Sequence, residues 1–220
     1  MIPYSIGFSV AYATALAGNF LAIESGPLAL TTLICSYSLI MPTFHGVFVY
    51  GDKLDLIGII GLILLAISLF LINEKDDNTK FNVKWIICII VSFIGNGFCS
   101  ITQKMEQVAF DGAYKNEFMI VALVFVSIFM VIAMLVTKEK CDFKNATLPA
   151  AGCGVANGIV NMLVMVLTGL MPSVILFPSI SAGGIALGFV IAVFMYKERL
   201  TKLQTVGYVL GTVSVVLLNL

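Results

Sequence analysis

Charge is what this sequence has least of. Of its 220 residues, 12 are Lys or Arg and 12 are Asp or Glu, which is 11%, against about 25% in an average soluble domain. Hydrophobic residues make up 60%. So few charges cannot cover a water-soluble body of this size, which excludes a soluble globular domain and a disordered chain. The formal net charge is zero, so there is no basic excess to hold a polyanion, and no nucleic-acid partner is expected. There are five cysteines and no CxxC. Cys35, Cys88, Cys99 and Cys153 fall in apolar runs, where they behave as small apolar side chains, and Cys141 stands in a loop without an obvious partner. Neither a disulfide framework nor a thiolate metal centre is expected. HExxH and GxSxG are missing, no apolar run holds a pair of aspartates, and histidine occurs once. That removes the familiar routes to an intramembrane enzyme, so no catalysis, cofactor or metal is expected. The first apolar run lacks the basic start of a signal peptide, since Met1–Tyr4 carries no Lys or Arg. Tyr12, Thr14 and Asn19 interrupt it, and it reads as a mature helix.

Long apolar runs are what the chain does have. The charges leave seven of them, at 1–23, 25–51, 56–73, 85–103, 118–137, 145–196 and 203–220. About 20 apolar residues cross the hydrocarbon core as a helix. Six runs fit one crossing each. The long run 145–196 divides at Thr168-Gly169-Leu170-Met171-Pro172-Ser173, because Gly ends helices and Pro starts them. The spacing predicts eight spans, near 4–22, 28–50, 56–73, 85–103, 118–137, 147–169, 173–196 and 203–219. The runs are apolar on every side, as in Leu62–Phe70, whereas strands of a membrane barrel alternate. The backbone must then be satisfied within each segment, as helices. The expected fold class is all-α, a polytopic transmembrane bundle of eight helices with the lipid bilayer as its surroundings. No acidic residue lies inside any of these spans; Glu24 stands at an end.

The chain also repeats itself. Residues 50–73 and 196–219 align without gaps at an offset of 146, with seven of 24 positions identical. These are Tyr50/Tyr196, Leu54/Leu200, Gly61/Gly207, Leu64/Leu210, Ser68/Ser214, Leu71/Leu217 and Asn73/Asn219. Charge type matches at Asp52/Glu198 and Lys53/Arg199. Upstream, Ser25-Gly26-Pro27 and Leu170-Met171-Pro172 open the preceding helices. The third span thus corresponds to the eighth. The first unit, 1–76, holds three helices and the second, 77–220, holds five. On this arithmetic about 62 residues, two helices, are expected to be missing before residue 1 (84 against 146). Five helices per unit invert one copy relative to the other, a frequent transporter plan.

Here the residues resemble a known family. Ala22-x-x-Ser25-Gly26-Pro27-Leu28, then Pro42, then an acidic-basic-Leu turn and a Gly-containing helix are similar to the EamA-type family of the drug/metabolite transporter superfamily. The second copy carries the pattern as Phe177-Pro178-x-Ile180-Ser181-Ala182-Gly183-Gly184, followed by Tyr196-Lys197-Glu198-Arg199-Leu200. Ile94-Gly95-Asn96-Gly97-Phe98-Cys99-Ser100-Ile101-Thr102-Gln103-Lys104 is similar to the opening helix of a second repeat in Firmicutes-like members. The resemblance covers essentially the whole chain. It implies a 5+5 inverted-repeat transporter, here lacking the first two helices. It also implies a multi-pass protein of a bacterial cell membrane that moves small organic metabolites or drugs. A truncated paralogue with an assembly or regulatory role is the alternative, and a second copy of the chain is a candidate partner. Loops 74–84, 138–144 and 197–202 hold nine Lys or Arg, against three in the other set, which places the first set inside. The topology usual for the family places that set outside, so orientation stays open.

Polar groups inside spans mark candidate sites. Asn157 and Asn161 share a helical face with Gly154 and Gly158 beside them. Asn96 and Ser100 have the same spacing, and Gln103 falls one turn further. Carboxamides donate and accept, so they suit a polar or zwitterionic solute. Tyr12 and Tyr37 lie deep enough to stack on it. His45, near the end of the second span, is the candidate for proton coupling. Gly183, Gly184 and Gly188 with Ser179 and Ser181 form a small-residue face, read first as helix packing. Trp85 and Tyr196, at span ends, read as interface anchors. Pro42, Pro172 and Pro178 are expected to kink or start helices.

Overall fold

The computed structural model describes residues 1–26, 31, 34–35, 37–53, 56–72, 83–137, 143–190 and 201–218. The charged turn 196–200, Cys141 and the boundary between the two repeat units lie outside the described residues, as do Pro27 and Leu28.

The described residues form eight helical elements: α1 (Ile2–Ser25), α2 (Ile40–His45, continuing as a π-helical turn Gly46–Tyr50), α3 (Leu56–Ile72), α4 (Val83–Phe110), α5 (Lys115–Thr137), α6 (Phe143–Leu170), α7 (Ser173–Val190) and α8 (Lys202–Leu218). Their order follows the charge-free runs. Four are long and apolar enough to cross a membrane: Ile2–Ser25, Val83–Phe110, Lys115–Thr137 and Ala150–Leu170.

Two of the boundaries that differ from expectation have a clear physical cause. The second span is interrupted at a turn at Ser38–Leu39, where Met41 N donates to Ser38 O (3.1 Å). Pro42 explains the break: it donates no hydrogen bond, and its ring collides with the carbonyl four residues earlier, that of Ser38. The fourth helix runs on to Phe110, so Lys104 and Glu106 lie within it. It stops where Asp111 (φ 50) and Gly112 (φ 70) turn left-handed and Gly112 N donates to Gln107 O (3.2 Å). That is a left-handed helix C-terminus, which glycine adopts without steric cost.

The bundle is apolar outside. Ile120, Val124, Ile128, Val131 and Leu135 form one exposed stripe on α5, at helical spacing. Inside, Ser5, Ser9, Ser92, Ser100, Gln103, Gln107 and Thr168 are buried beside Phe8, Phe118, Met119 and Met165. Polar groups turned inward under an apolar surface are what hydrocarbon demands, because exposed polar groups have no partner there.

α1 lies against α4 and α5, α3 against α8, and α2 against α7. α1 and α4 run antiparallel: Gly18 sits beside Cys88 and Ser92, Gly95 beside Ala11 and Ala15, and Cys99 Sγ reaches Phe8 O (3.7 Å). A Cβ on Gly95 would stand 2.8 Å from Ala11 O, and one on Gly18 2.8 Å from Cys88 O. Small residues here let two backbones meet. Ser9 Oγ donates to Ala122 O (2.8 Å), fixing α1 on α5. Ser68 Oγ donates to Gly207 O (2.7 Å), joining α3 to α8 at two positions identical in the internal repeat.

Trp85 is not an interface anchor. It is 4% exposed, packs with Ala22 and Ile89 and closes over Gly26, and its Nε1 donates to Thr31 Oγ1 (2.9 Å). The small-residue face around Gly183 is not a helix contact at that position, since a Cβ on Gly183 would meet nothing within 4 Å. Gly154 and Gly158 also face open space. Cys35, Cys88, Cys99 and Cys153 are free thiols.

Candidate functional site

The antiparallel α1–α4 pair and the break in α2 leave a space between α1, α2, α4, α6 and α7. It is a cavity of about 320 Å³, lined by Tyr12, Cys35, Ser38, Leu39, Asn96, Cys99, Ser100, Gln103, Val164, Asn161, Phe177 and Ile180. Its polar face comes mainly from α4, where the spacing of Asn96, Ser100 and Gln103 turns all three to one side. Asn96 Nδ2 reaches Ser92 Oγ at 3.5 Å, and Ser100 Oγ donates to Asn96 O at 3.3 Å. Gln103 is buried, and its amide nitrogen meets the thioether of Met119 at 3.8 Å. A thioether is a weak acceptor, so this contact uses little of the carboxamide's hydrogen-bonding capacity.

Across the cavity, Tyr12 OH donates to Asn157 Oδ1 (2.7 Å) and accepts from Asn161 Nδ2 (3.2 Å). Asn161 Nδ2 also lies 3.0 Å from Asn157 Oδ1. The Tyr12 ring stacks on Phe8, with centroids 5.4 Å apart. Three candidates from two distant segments thus form one polar bridge from α1 to α6. Asn157 is exposed and stands at the rim; Tyr12 and Asn161 are half-buried and line the wall.

The other candidates lie elsewhere. Tyr37 and Ser181 line a separate apolar cavity of about 190 Å³ with Leu39, Ile40, Phe44, Leu62, Ile63 and Pro178. The Tyr37 hydroxyl donates to Ala66 O (2.9 Å). Leu39 borders both cavities. His45 is outside both, its ring edge-on to Tyr50 with centroids 5.3 Å apart.

Sequence reasoning missed Cys35, Ser38 and, on α7, Ile180. Cys35 Sγ and Ser92 Oγ are 3.3 Å apart; the signal for Ser92 was its place four residues before Asn96 on the same face. It also missed Glu106. Glu106 lies beyond the expected span 85–103, on the continuation of α4, and is 0% exposed.

One end of the bundle is pinned by charge. Lys104 Nζ donates to Thr168 O (2.7 Å) and Met171 O (3.0 Å), carbonyls at the C-terminal end of α6. Asp52 Oδ2 accepts from Ser173 N (2.8 Å), the first residue of α7. A cation at a helix C-terminus and an anion at an N-terminus both oppose the helix dipole. Gln107 Nε2 donates to Met165 O (2.7 Å) beside them. Among the described residues no three His, Cys, Asp or Glu side chains gather as a metal site.

No family model matches the chain, and no curated protein does. A crystal structure of another protein aligns with a TM-score of 0.77 and 12% identity, over 99% of this chain and 76% of that chain. At that identity the likeness concerns the fold alone.

Proposed function

We propose that the protein is an integral membrane secondary transporter of small organic solutes, working by alternating access between two related halves, as the EamA-type resemblance implies. The observation that carries this reading is the open cavity of about 320 Å³ between apolar helices, with carboxamides and hydroxyls on its wall and the break in α2 at its border. Transporter sites characteristically sit between repeats, beside discontinuous helices. The helix pairing supports the reading as well. The internal repeat equates the third span with the eighth and the second with the seventh, and these are pairs that pack together, α3 on α8 and α2 on α7. A two-fold axis between inverted halves produces that pairing. The carboxamides and hydroxyls around the cavity favour a neutral polar or zwitterionic solute.

The test is counterflow into proteoliposomes with a labelled panel of amino acids and nucleosides, and with ethidium as a cationic probe. Asn161→Leu and Gln103→Leu are expected to lower flux of the transported solute about tenfold, the equivalent of about 1.4 kcal/mol. Flux that survives both substitutions removes the carboxamide site. No flux of any probe counts against transport.

A further inference from the structure

Glu106 has no role in the site so far described, and its surroundings are unusual. It is 0% exposed, and both carboxylate oxygens are enclosed without a hydrogen-bond partner. It lies on the buried face of α4, one turn beyond Gln103, which lines the polar cavity. The next residue, Gln107, lines a separate opening of about 420 Å³ at the end of the bundle, with Lys104, Asp111 and Lys115. Glu106 lines neither space. It is closed in where the start of α1 packs on the end of α4, as the Tyr4–Phe110 ring contact marks (5.9 Å).

The charged groups that act on it are few. From α1 the Met1 amino group does so, and from α5 the Glu117 carboxylate. Neither reaches hydrogen-bond distance, since both oxygens of Glu106 lack any partner. On α4 itself, Lys104 is turned to the α6–α7 corner. An ionised carboxylate with neither water nor donor is strongly disfavoured, and such a group neutralises instead. Intramembrane carboxyl groups mark proton pathways as a class.

We propose that Glu106 is a proton site: it carries a proton in the closed arrangement seen here and exchanges it with water only when the contact of α1 with α4 and α5 opens. The step is a simple transfer. The O–H bond of the acid breaks, its proton passes to water, and the carboxylate is left solvated; the reverse step restores the acid. No oxidant or co-reactant takes part. Its use rests on the transport reading, in which opening of the bundle would couple solute movement to proton movement. The protonation itself does not rest on that reading.

Infrared spectroscopy of the protein in phosphatidylcholine vesicles tests it. At neutral pH the wild type should show the C=O stretch of a neutral carboxylic acid, at the high frequency of one without hydrogen bonds, and it should shift slowly in D2O. Glu106→Gln removes this band. Glu106→Asp moves it, which separates loss of the group from loss of the fold. Glu24→Gln, at an exposed position, leaves it unchanged. Absence of the band in the wild type, or its survival in folded Glu106→Gln protein, overturns the proposal. In the flux assay with the same panel, Glu106→Gln should keep counterflow and lose accumulation driven by a pH gradient. Undiminished accumulation overturns the coupling role. A wild type that has the band and moves no probe removes the transport reading and leaves the proton site standing.

Discussion

Tyr12 shows how much one hydroxyl can organise. Its OH is donor to Asn157 and acceptor from Asn161, so a single oxygen holds α1 to the rim of α6. Tyr12→Phe keeps the stacking on Phe8 and removes both bonds. The expected loss of stability is about 1 kcal/mol, the usual net worth of such bonds, with a clear fall in flux; thermal unfolding in detergent and counterflow measure the two. Trp85 separates packing from hydrogen bonding in the same way. Trp85→Phe gives up the bond to Thr31 and should cost about 1 kcal/mol, whereas Trp85→Ala empties a buried site and should cost about 3–5 kcal/mol. Equal costs in a denaturation series would show that the indole is held by its nitrogen and not by its volume. Residues of this kind were only partly legible. Helical spacing put Asn96, Ser100 and Gln103 on one face, and the cavity gathers them. It could not show that Tyr37 would point at a different, apolar space, or that Trp85 would be covered by α1, because both depend on which helix lies opposite.

At the scale of elements, the gaps between charges marked the helices but not their ends. Lys104 and Glu106 belong to α4 because neighbours enclose them, Lys104 by accepting carbonyls and Glu106 by the packing of α1. No local signal distinguishes such charges from loop charges. The break in α2 was written in Pro42, yet its consequence falls four residues upstream, at Ser38. Glycine needs the same context. Gly95 faces backbone, since a Cβ there would lie 2.8 Å from Ala11 O and 3.0 Å from Ala15 N. Backbone cannot move aside cheaply, so Gly95→Leu should destabilise by about 1–3 kcal/mol or more. Gly183 looks alike in sequence and faces open space. Gly183→Ala should be neutral, or better by up to about 1 kcal/mol from helix propensity. Unfolding midpoints of the two variants measured side by side check the contrast, and a cost at Gly183 equal to that at Gly95 would contradict it.

At the scale of the whole molecule, the proposed alternating access requires the cavity to be shut at one end, and the hydrogen-bonded corner between α6 and α7 is the candidate fastening. α6 and α7 meet at Leu170–Ser173, and both halves of that corner are held from outside it, by Lys104 on the α6 carbonyls and by Asp52 on the Ser173 amide. Gly46 lets the end of α2 come this close, since a Cβ there would stand 2.6 Å from Ser173 Cβ. These bonds connect parts of the chain far apart in sequence, so no motif announces them; only the turn itself, Gly169 to Pro172, was legible. Lys104→Met keeps the length and apolar stem of the side chain and removes the ammonium. It should loosen this end and expose the polar cavity from this side. Cys35 and Cys99 line that cavity and are native reporters. Labelling by a membrane-impermeant thiol reagent, applied to one face of right-side-out vesicles and then to the other, should rise several-fold in Lys104→Met from one face only. That face is the side on which Lys104 lies, so the same measurement fixes the orientation that the loop charges leave open. Labelling that rises equally from both faces means that the bundle has loosened as a whole. Labelling that does not rise means that the corner is not the gate.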